Sequence, residues 1–319
     1  MVAAFAAATF AFVCIQLAPG DPATALGEGV PAVVRARARA VYGFDDPVLV
    51  QYGRWVCAIL GGDFGYSTSQ HRPALDVVLD AIPNSLAIVL PGLLLALVAG
   101  STVGTWQGIH AGSRRDRWLS RLVFVLHVLP EFFLALALLV LFSIAWPLLP
   151  SGGVVSDTHA YLSPMAQFAD RLRHLVLPCL VVALFGAATL VRFQRQSMRD
   201  TIELPFVRTA FANGLPPRRV YLGAWRASLL PVLTMLGVLL PFAVLGLVFV
   251  EQIFAWPGLG LALFNAINAR DYDVVAACVV AQGLITGAGS VAVELLREAV
   301  DPRLADAAME SSAQLAARS

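Results

Sequence analysis

Lysine is absent from this sequence of 319 residues, in which all 22 basic side chains are arginine. The phosphate-binding loop of many ATPases places a lysine on the β- and γ-phosphates, and pyridoxal enzymes form a Schiff base through one. A standard ATPase and a pyridoxal enzyme are therefore excluded for this chain by itself. The motifs HExxH and GxSxG are absent as well, so the sequence predicts no catalytic residues.

Charge and cysteine are also scarce. Charged residues make up 13% of the chain against 58% apolar residues, and the mean hydropathy is +0.75. These values are typical of a membrane protein. The cysteines Cys14, Cys57, Cys179 and Cys278 are too scattered for a disulfide framework or a CxxC metal site. We therefore expect no metal and no cofactor to be bound by this chain.

Long apolar runs are what the sequence has instead. A membrane helix needs about 20 apolar residues to cross about 30 Å of hydrocarbon. The N-terminal run Val2–Ala18 is slightly short; we favour a retained span over a signal peptide, because no basic residue precedes it and the cleavage pattern is poor. Five further segments fit: Leu86–Val103, Leu119–Ala145, Leu175–Val191, Leu229–Phe249 and Val274–Leu296. The sequence predicts an all-α polytopic membrane protein with six transmembrane helices.

The placement of arginine predicts the topology. Four arginines between Arg114 and Arg121 follow the second span, and seven lie between Arg192 and Arg226 after the fourth. By the positive-inside rule both loops are cytoplasmic. The alternate connections, 143–174 and 251–273, hold three arginines against five acidic residues and are predicted to lie outside. Both termini are then cytoplasmic.

This topology predicts the domain organisation. The predicted parts are a first transmembrane helix (1–18), a mixed external subdomain (19–83), a transmembrane core (84–300) with a cytoplasmic loop (192–228) and an external loop (251–273), and a cytoplasmic tail (301–319). The arginine-rich run Val33–Val41 in the external subdomain could bind an anionic surface. We favour a solvated helix face.

The cytoplasmic segment 205–231 carries more than positive charge. Phe206–Asn213 is predicted to be a short amphipathic helix, and Gly214 its left-handed C-terminal cap. Pro216 and Pro217 end it, and a second helix starts at Arg218. This interpretation places a short helix near the membrane surface, presented to the cytoplasm. An ordinary positively charged linker is the alternative.

Within this segment, Val207–Leu215 reads VRTAFANGL and resembles the E-A-A-x-x-x-G loop of ABC-importer permeases. The form V-R-T-A-x-A-x-G-L is that of the dipeptide, oligopeptide and nickel branch. One stretch departs from the family pattern. Members of the family usually have a HALRN-like sequence before the proline that opens the fifth span, whereas Gly223–Ala227 lacks its histidine. Further similarities follow in order along the chain: Leu17–Pro22, Gly43–Pro47, Gln51–Tyr52, Gly62–Gly65, Leu175–Pro178, Glu251–Gly260, Arg270–Tyr272 and Asp301–Arg303.

The resemblance, to the first permease subunit of a peptide-type importer, implies a type I ABC importer permease fold and a function. The chain would form half of a pathway for peptides, or alternatively nickel or another small solute, in the cytoplasmic (inner) membrane of a bacterium or archaeon. Implied partners are a second homologous permease, two ATP-binding subunits or domains that hold ATP and Mg, and an external solute-binding protein, with no nucleic acid. An ion-coupled secondary transporter is the alternative class, although no convincing internal repeat is present.

The resemblance also implies roles for residues. Those that would contact the ATPase are Phe206, Val207, Arg208, Thr209, Ala210, Phe211, Gly214, Arg218 and Arg219. The apolar side chains Phe206, Val207 and Phe211 would fill a groove of the ATPase. The external loop, with Glu251, Trp256, Pro257, Gly258 and Gly260, would lie near the docked binding protein. Trp256 is expected to be an anchor at the membrane interface, before a short helix over Leu261–Ala269.

Polar residues at membrane depth are candidates for lining the pathway. His127 and Glu131 are four residues apart on the third span and are predicted to share a helical face, with a kink at Pro130 between them. They either line the pathway or form a hydrogen-bonded pair between helices. Gln282 is a further candidate on the last span.

Overall fold

The computed structural model describes Thr9, Phe12, Val13 and residues 46–300. The predictions for the first span, for residues 19–45 and for the C-terminal tail lie outside these residues. The described chain divides into two units, one with the residues up to Leu86 together with Ala255–Gly287, the other with Ala87–Phe254 together with the residues from Ala288 onwards.

Helices account for most of the described residues. In chain order the elements are α1 (Val48–Leu60), β1 (Tyr66–Ser67), β2 (Arg72–Pro73), α2 (Ala74–Ile109), α3 (Arg114–Val128), α4 (Glu131–Leu139), a π-helical turn (Val140–Ala145), a 3-10 turn (His159–Tyr161), α5 (Pro164–Ile202), α6 (Pro205–Ala212), α7 (Pro217–Ser228), α8 (Leu230–Ile253), α9 (Leu259–Ala269) and α10 (Tyr272–Val300). The two strands pair as an antiparallel hairpin.

Among the described residues, four helices are long and apolar enough to cross a membrane: α2, α5, α8 and α10. Helix α3 and the segment that follows it add a fifth span if the bent pair is counted as one. The five predicted segments within the described residues coincide with these helices, so the all-α polytopic prediction is confirmed. Helices α2 and α5 have 36 and 39 residues, well beyond the roughly 20 that a bilayer requires.

The third predicted span is broken at Pro130. Helix α3 ends at Val128, α4 begins at Glu131, and the two are bent by 106°. Proline lacks an amide hydrogen and disfavours helical backbone in the residue before it; Leu129 is extended, with ψ 126°. The predicted kink is confirmed. The prediction that His127 and Glu131 share one helical face is wrong, because they belong to different helices.

In the unit that contains the hairpin, small apolar residues of α2, α9 and α10 form the core. Among them are Ala74, Val78, Leu259, Ala266 and Ala277. Because these side chains are short, the three helices approach closely and the buried surface is well packed.

A buried aspartate holds the hairpin in the same unit. The Oδ2 atom of Asp271 accepts hydrogen bonds from Ser67 Oγ (2.7 Å), from Ser69 Oγ (2.7 Å) and from the Ser69 amide (3.0 Å). The neighbouring Asp273 accepts one from the Tyr66 amide (3.0 Å). The start of α10 is therefore tied to a hairpin some 200 residues earlier in the chain.

The turn before α9 is pinned to α2. Trp256 Nε1 donates to the Asn84 carbonyl (3.0 Å), Asn84 Nδ2 donates to the Pro257 carbonyl (2.8 Å), and the Leu259 amide donates to Ser85 Oγ (2.8 Å). Trp256 is only 3% exposed. The expectation that it anchors the protein at the membrane interface is wrong, because its ring is buried in the protein. The predicted turn and short helix are confirmed.

In the other unit, α2 packs against α5 along a row of small residues. A Cβ atom added at Gly100 would lie 2.5 Å from the Leu190 Cβ, which is closer than two carbon atoms can approach. Rows of small residues at four-residue spacing let membrane helices approach backbone to backbone. The row on α2 is Gly92, Ala96, Gly100, Gly104 and Gly108, and it faces Val182, Gly186, Leu190, Gln194 and Met198 of α5.

Candidate functional site

Helix α6 and the turn after it have the local structure that their sequence predicts. Pro205 occupies the first helical turn, where its missing amide hydrogen leaves no bond unmade. At the other end the Leu215 amide donates to the Ala210 carbonyl (3.2 Å) and the Gly214 amide to the Phe211 carbonyl (3.0 Å). This is a Schellman motif, which needs a left-handed residue; Gly214 has φ +74°. The prediction of a left-handed cap is confirmed.

One face of α6 is buried in the chain itself. Val207 is 1% exposed and packs in a cluster with Met198, Val220 and Ala224. The expectation that Val207 fills a groove of a partner is therefore wrong, because its side chain is already covered by α5 and α7. Ala210 is half-buried against the same cluster. The buried face fixes the orientation of α6 on the two neighbouring helices.

The rest of the α6 circumference is exposed, including side chains directly beside the buried face. Phe206 is 48% exposed and Phe211 41% exposed, although the Phe211 ring also makes an edge contact with Tyr221 at 5.8 Å between centroids. We call the exposed side chains of α6, of the turn after it and of the first turn of α7 the α6 surface. Its exposed side chains are Phe206, Arg208, Thr209, Phe211, Leu215, Arg218 and Arg219. Exposed aromatic rings beside arginines are typical of a protein interface.

Beneath α7, hydrogen bonds between buried polar side chains connect it to α5 and α2. Gln194 is fully buried, and its Nε2 donates to Thr105 Oγ1 (3.0 Å) and to Ser228 Oγ (2.8 Å). Ser197 Oγ donates to the Ser228 carbonyl (2.9 Å). Because a buried polar group that loses its partner is destabilising, these bonds make α5, α7 and α2 one connected body at this end.

A second connection comes from the stretch that departs from the family pattern. Trp225, within Gly223–Ala227, donates from Nε1 to Ser101 Oγ of α2 at 2.7 Å. The next residue back, Ala224, is fully buried in the Val207 cluster. The stretch Gly223–Ala227 therefore contacts both α2 and α6, although its sequence differs from the family pattern.

The turn between α2 and α3 is fixed by Asp116. This carboxylate is buried and accepts two hydrogen bonds from Arg195, from Nε to Oδ1 and from Nη2 to Oδ2, both 2.8 Å. It also accepts from the Gly112 amide (2.9 Å) and from Gln107 Nε2 (3.3 Å). Sequence reasoning missed this role, although Asp116 is the one acidic residue among the arginines of its loop.

The candidate pathway residues differ in burial and in the helices that they contact. His127 is exposed and faces Thr189, with 3.3 Å between Nδ1 and Oγ1. Glu131 is half-buried, and its carboxylate occupies the space that a Cβ atom at Gly246 of α8 would fill. Gln282 is buried in the other unit. His127 therefore contacts α5, whereas Glu131 contacts α8.

A cavity of about 710 Å³ opens among α3, α5 and α8. His127 and Thr189 belong to its lining, so it contains one of the candidate pathway residues. Its other lining residues are Gln107, Ser120, Val123, Phe124, Arg192, Phe193, Arg195, Gln196 and Met235.

The external-loop candidates differ in burial. Glu251 lies in the last turn of α8 and is fully buried. Pro257 is exposed, whereas Gly258 and Gly260 are buried at the start of α9. Among the predicted external-loop residues, the exposed side chain is that of Pro257.

These features define a class: a polytopic helical membrane protein with a short amphipathic helix presented between two long spans. Residues 92–306 match the family described as the binding-protein-dependent transport system inner membrane component. The chain belongs to this family, and it is a permease subunit of an ABC importer.

Two relatives support this assignment over nearly the full length. The oligopeptide transport system permease protein AppB of Bacillus subtilis is 33% identical over 296 residues, which cover 92% of each chain. The glutathione transport system permease protein GsiC of Salmonella paratyphi A is 32% identical over 303 residues, 93% of each chain.

Proposed function

We propose that this permease forms half of a membrane pathway for short peptides and that the α6 surface docks in a groove of a cytoplasmic ATPase. The observation that carries this proposal is that one side of α6 is buried on α5 and α7, while Phe206, Arg208 and Phe211 on the rest of the helix stay exposed. Exposed aromatic side chains supply the apolar contact, and arginines pair with acidic side chains at its rim.

The proposed assembly contains a second homologous permease, two ATP-binding subunits or domains that hold ATP and Mg, and an external solute-binding protein. The loop 192–228 and both termini face the cytoplasm, as the arginine distribution predicts, and the external loop 251–273 faces the binding protein. Closure of the ATPases moves α6, and the bonds of Gln194 and Ser228 carry this motion to α5 and α2.

Peptides are the proposed cargo because two relatives of nearly full length are named as oligopeptide and glutathione permeases. Glutathione is itself a short peptide. The shared chemistry is a small polar molecule with amide bonds. In such a system the binding protein selects the cargo, so uptake is measured with the binding protein present.

Cysteine cross-linking tests the docking proposal. In a background without native cysteines, Phe206→Cys and Arg208→Cys should cross-link to the ATPase in the assembled transporter. Val207→Cys is the matched control, since this neighbouring side chain is 1% exposed. Cross-links from none of the exposed positions, or equally strong ones from position 207, would contradict docking through this face.

Transport by the purified chain alone is a separate test. Reconstituted without partners, the chain should neither hydrolyse ATP nor take up solute. Uptake driven by a proton or sodium gradient would contradict the importer assignment and favour a secondary transporter. With all partners present, uptake of a labelled dipeptide supports the proposed cargo, whereas uptake of nickel but not of peptides contradicts it.

A further inference from the structure

The cavity among α3, α5 and α8 carries an uncompensated positive charge. Its lining contains two arginines and no acidic residue. The guanidinium of Arg195 is already paired with the buried carboxylate of Asp116. Arg192 is exposed, and no ion pair or hydrogen bond of its side chain occurs among residues 46–300. An anionic group is therefore the complementary ligand for this cavity.

The position of Arg192 along α5 sets the depth of this charge. The apolar segment Leu175–Val191 ends directly before it. Helix α5 has 39 residues, about 58 Å at 1.5 Å per residue, so both of its ends extend past a hydrocarbon layer about 30 Å thick. An arginine at the end of an apolar segment lies at the level of the lipid head groups.

The cavity wall has an apolar part, which includes Phe124 and Phe193 and continues onto the outside of the helices. Phe124 is 60% exposed and Phe193 is 44% exposed. Beside Phe124, the side chains of Val125 and Val128 on α3 are exposed too. On a membrane-spanning helix such a surface faces hydrocarbon chains, so an acyl chain reaches the cavity without crossing a polar region.

We propose that this cavity binds an anionic phospholipid, whose phosphate contacts Arg192 while an acyl chain packs on Phe124 and Phe193. The inference does not depend on the proposed cargo. The arginine-rich loops beside it are predicted to be cytoplasmic, and anionic lipids are enriched in that leaflet, where basic pockets between helices bind their head groups. A peptide carboxylate offers the same charge but no hydrocarbon chain for the open apolar wall.

Native mass spectrometry of the full chain tests the proposal. The purified protein is titrated with phosphatidylglycerol and, separately, with phosphatidylcholine of the same acyl chains. We expect preferential retention of phosphatidylglycerol, and Arg192→Gln should weaken it roughly fivefold to tenfold, as expected for one arginine near a lipid phosphate. Arg192→Lys keeps the charge and should retain most of the binding.

Arg199→Gln is the matched control, because Arg199 is exposed on the same helix but does not line the cavity. It should bind phosphatidylglycerol as the unmodified chain does. Equal retention of the two lipids, or an equal loss in both glutamine variants, overturns the proposal. Displacement of phosphatidylglycerol by inorganic phosphate or by a free dipeptide overturns it as well, since either result assigns the cavity to a soluble anion.

Discussion

The carboxylate of Asp116 is held by the guanidinium of Arg195 through two parallel hydrogen bonds of 2.8 Å. The first residue lies in the opening turn of α3 and the second near the end of α5. Bidentate pairing of this kind fixes both distance and orientation. The pair therefore joins the start of α3 to α5 in a fixed orientation.

Replacing Asp116 with alanine should destabilise the protein by roughly 2 to 3 kcal/mol, because a guanidinium would lose its partner in a partly buried setting. The figure is below that for a fully buried pair since Arg195 is 28% exposed. Thermal unfolding in detergent measures it. Glu294→Ala, which removes a carboxylate that is 60% exposed from its pair with Arg297, should change the midpoint less, because an exposed carboxylate in such a pair contributes little. Similar losses in both variants would contradict a special role for Asp116.

The row of small residues on α2 gives a second prediction. Gly100→Ala should destabilise by about 1 to 3 kcal/mol through overpacking, because the new methyl group would overlap the Leu190 side chain. Gly223→Ala is the control: a Cβ there meets no atom within 4 Å, and alanine favours a helix by roughly 0.5 to 1 kcal/mol. Thermal unfolding should move the two variants in opposite directions. An unchanged unfolding midpoint for Gly100→Ala would contradict tight packing of α2 against α5 at this position.

The left-handed backbone of Gly214 gives a prediction about coupling. Gly214→Val should lower the transport obtained per ATP hydrolysed, since a β-branched residue is strained by roughly 1 to 2 kcal/mol at positive φ and the turn after α6 would shift. Gly214→Asn should retain coupling, because asparagine tolerates this conformation. Both rates are measured in proteoliposomes with all partners. Equal coupling in the two variants would favour the interpretation of the segment as a plain linker.

The hydrogen bonds between Asp271 and the hairpin give a further prediction. Asp271→Ala should increase amide exchange at Ser69, because this amide and two serine hydroxyls lose their acceptor. Asp271→Asn should have a smaller effect, since one acceptor oxygen remains. Hydrogen–deuterium exchange of the hairpin peptides measures the change. Asp76→Ala is the control, because Asp76 is an exposed aspartate in the first turn of α2. An equal increase in the control would exclude a specific role for Asp271.

The predictions that depend on local backbone chemistry are confirmed. The predictions about what Val207 and Trp256 contact in space are wrong. The left-handed Gly214 and the break at Pro130 depend on residues next to each other in the chain. The resemblance places Val207 in a groove of the ATPase, and its position in an external loop places Trp256 at the membrane interface. Their neighbours within the chain, Met198 and Asn84 among them, are distant in sequence.

One feature of the packing was readable from the sequence but was missed. The spacing of Gly92, Ala96, Gly100, Gly104 and Gly108 is a small-xxx-small pattern. It predicts a close helix contact on one face of α2. The identity of the facing helix is not encoded in that pattern, so α5 could not have been named from it.

The sequence by itself determined the membrane environment, the spans within the described residues and the family, because hydrophobic length and short motifs are local properties. Tertiary structure decided which side chains stay exposed and which are buried within the chain. The pairing of Asp116 with Arg195, and of Gln194 with Ser228, depends on helices that meet only after folding. Burial then separates the two faces of α6, leaving Phe206 exposed and Val207 covered.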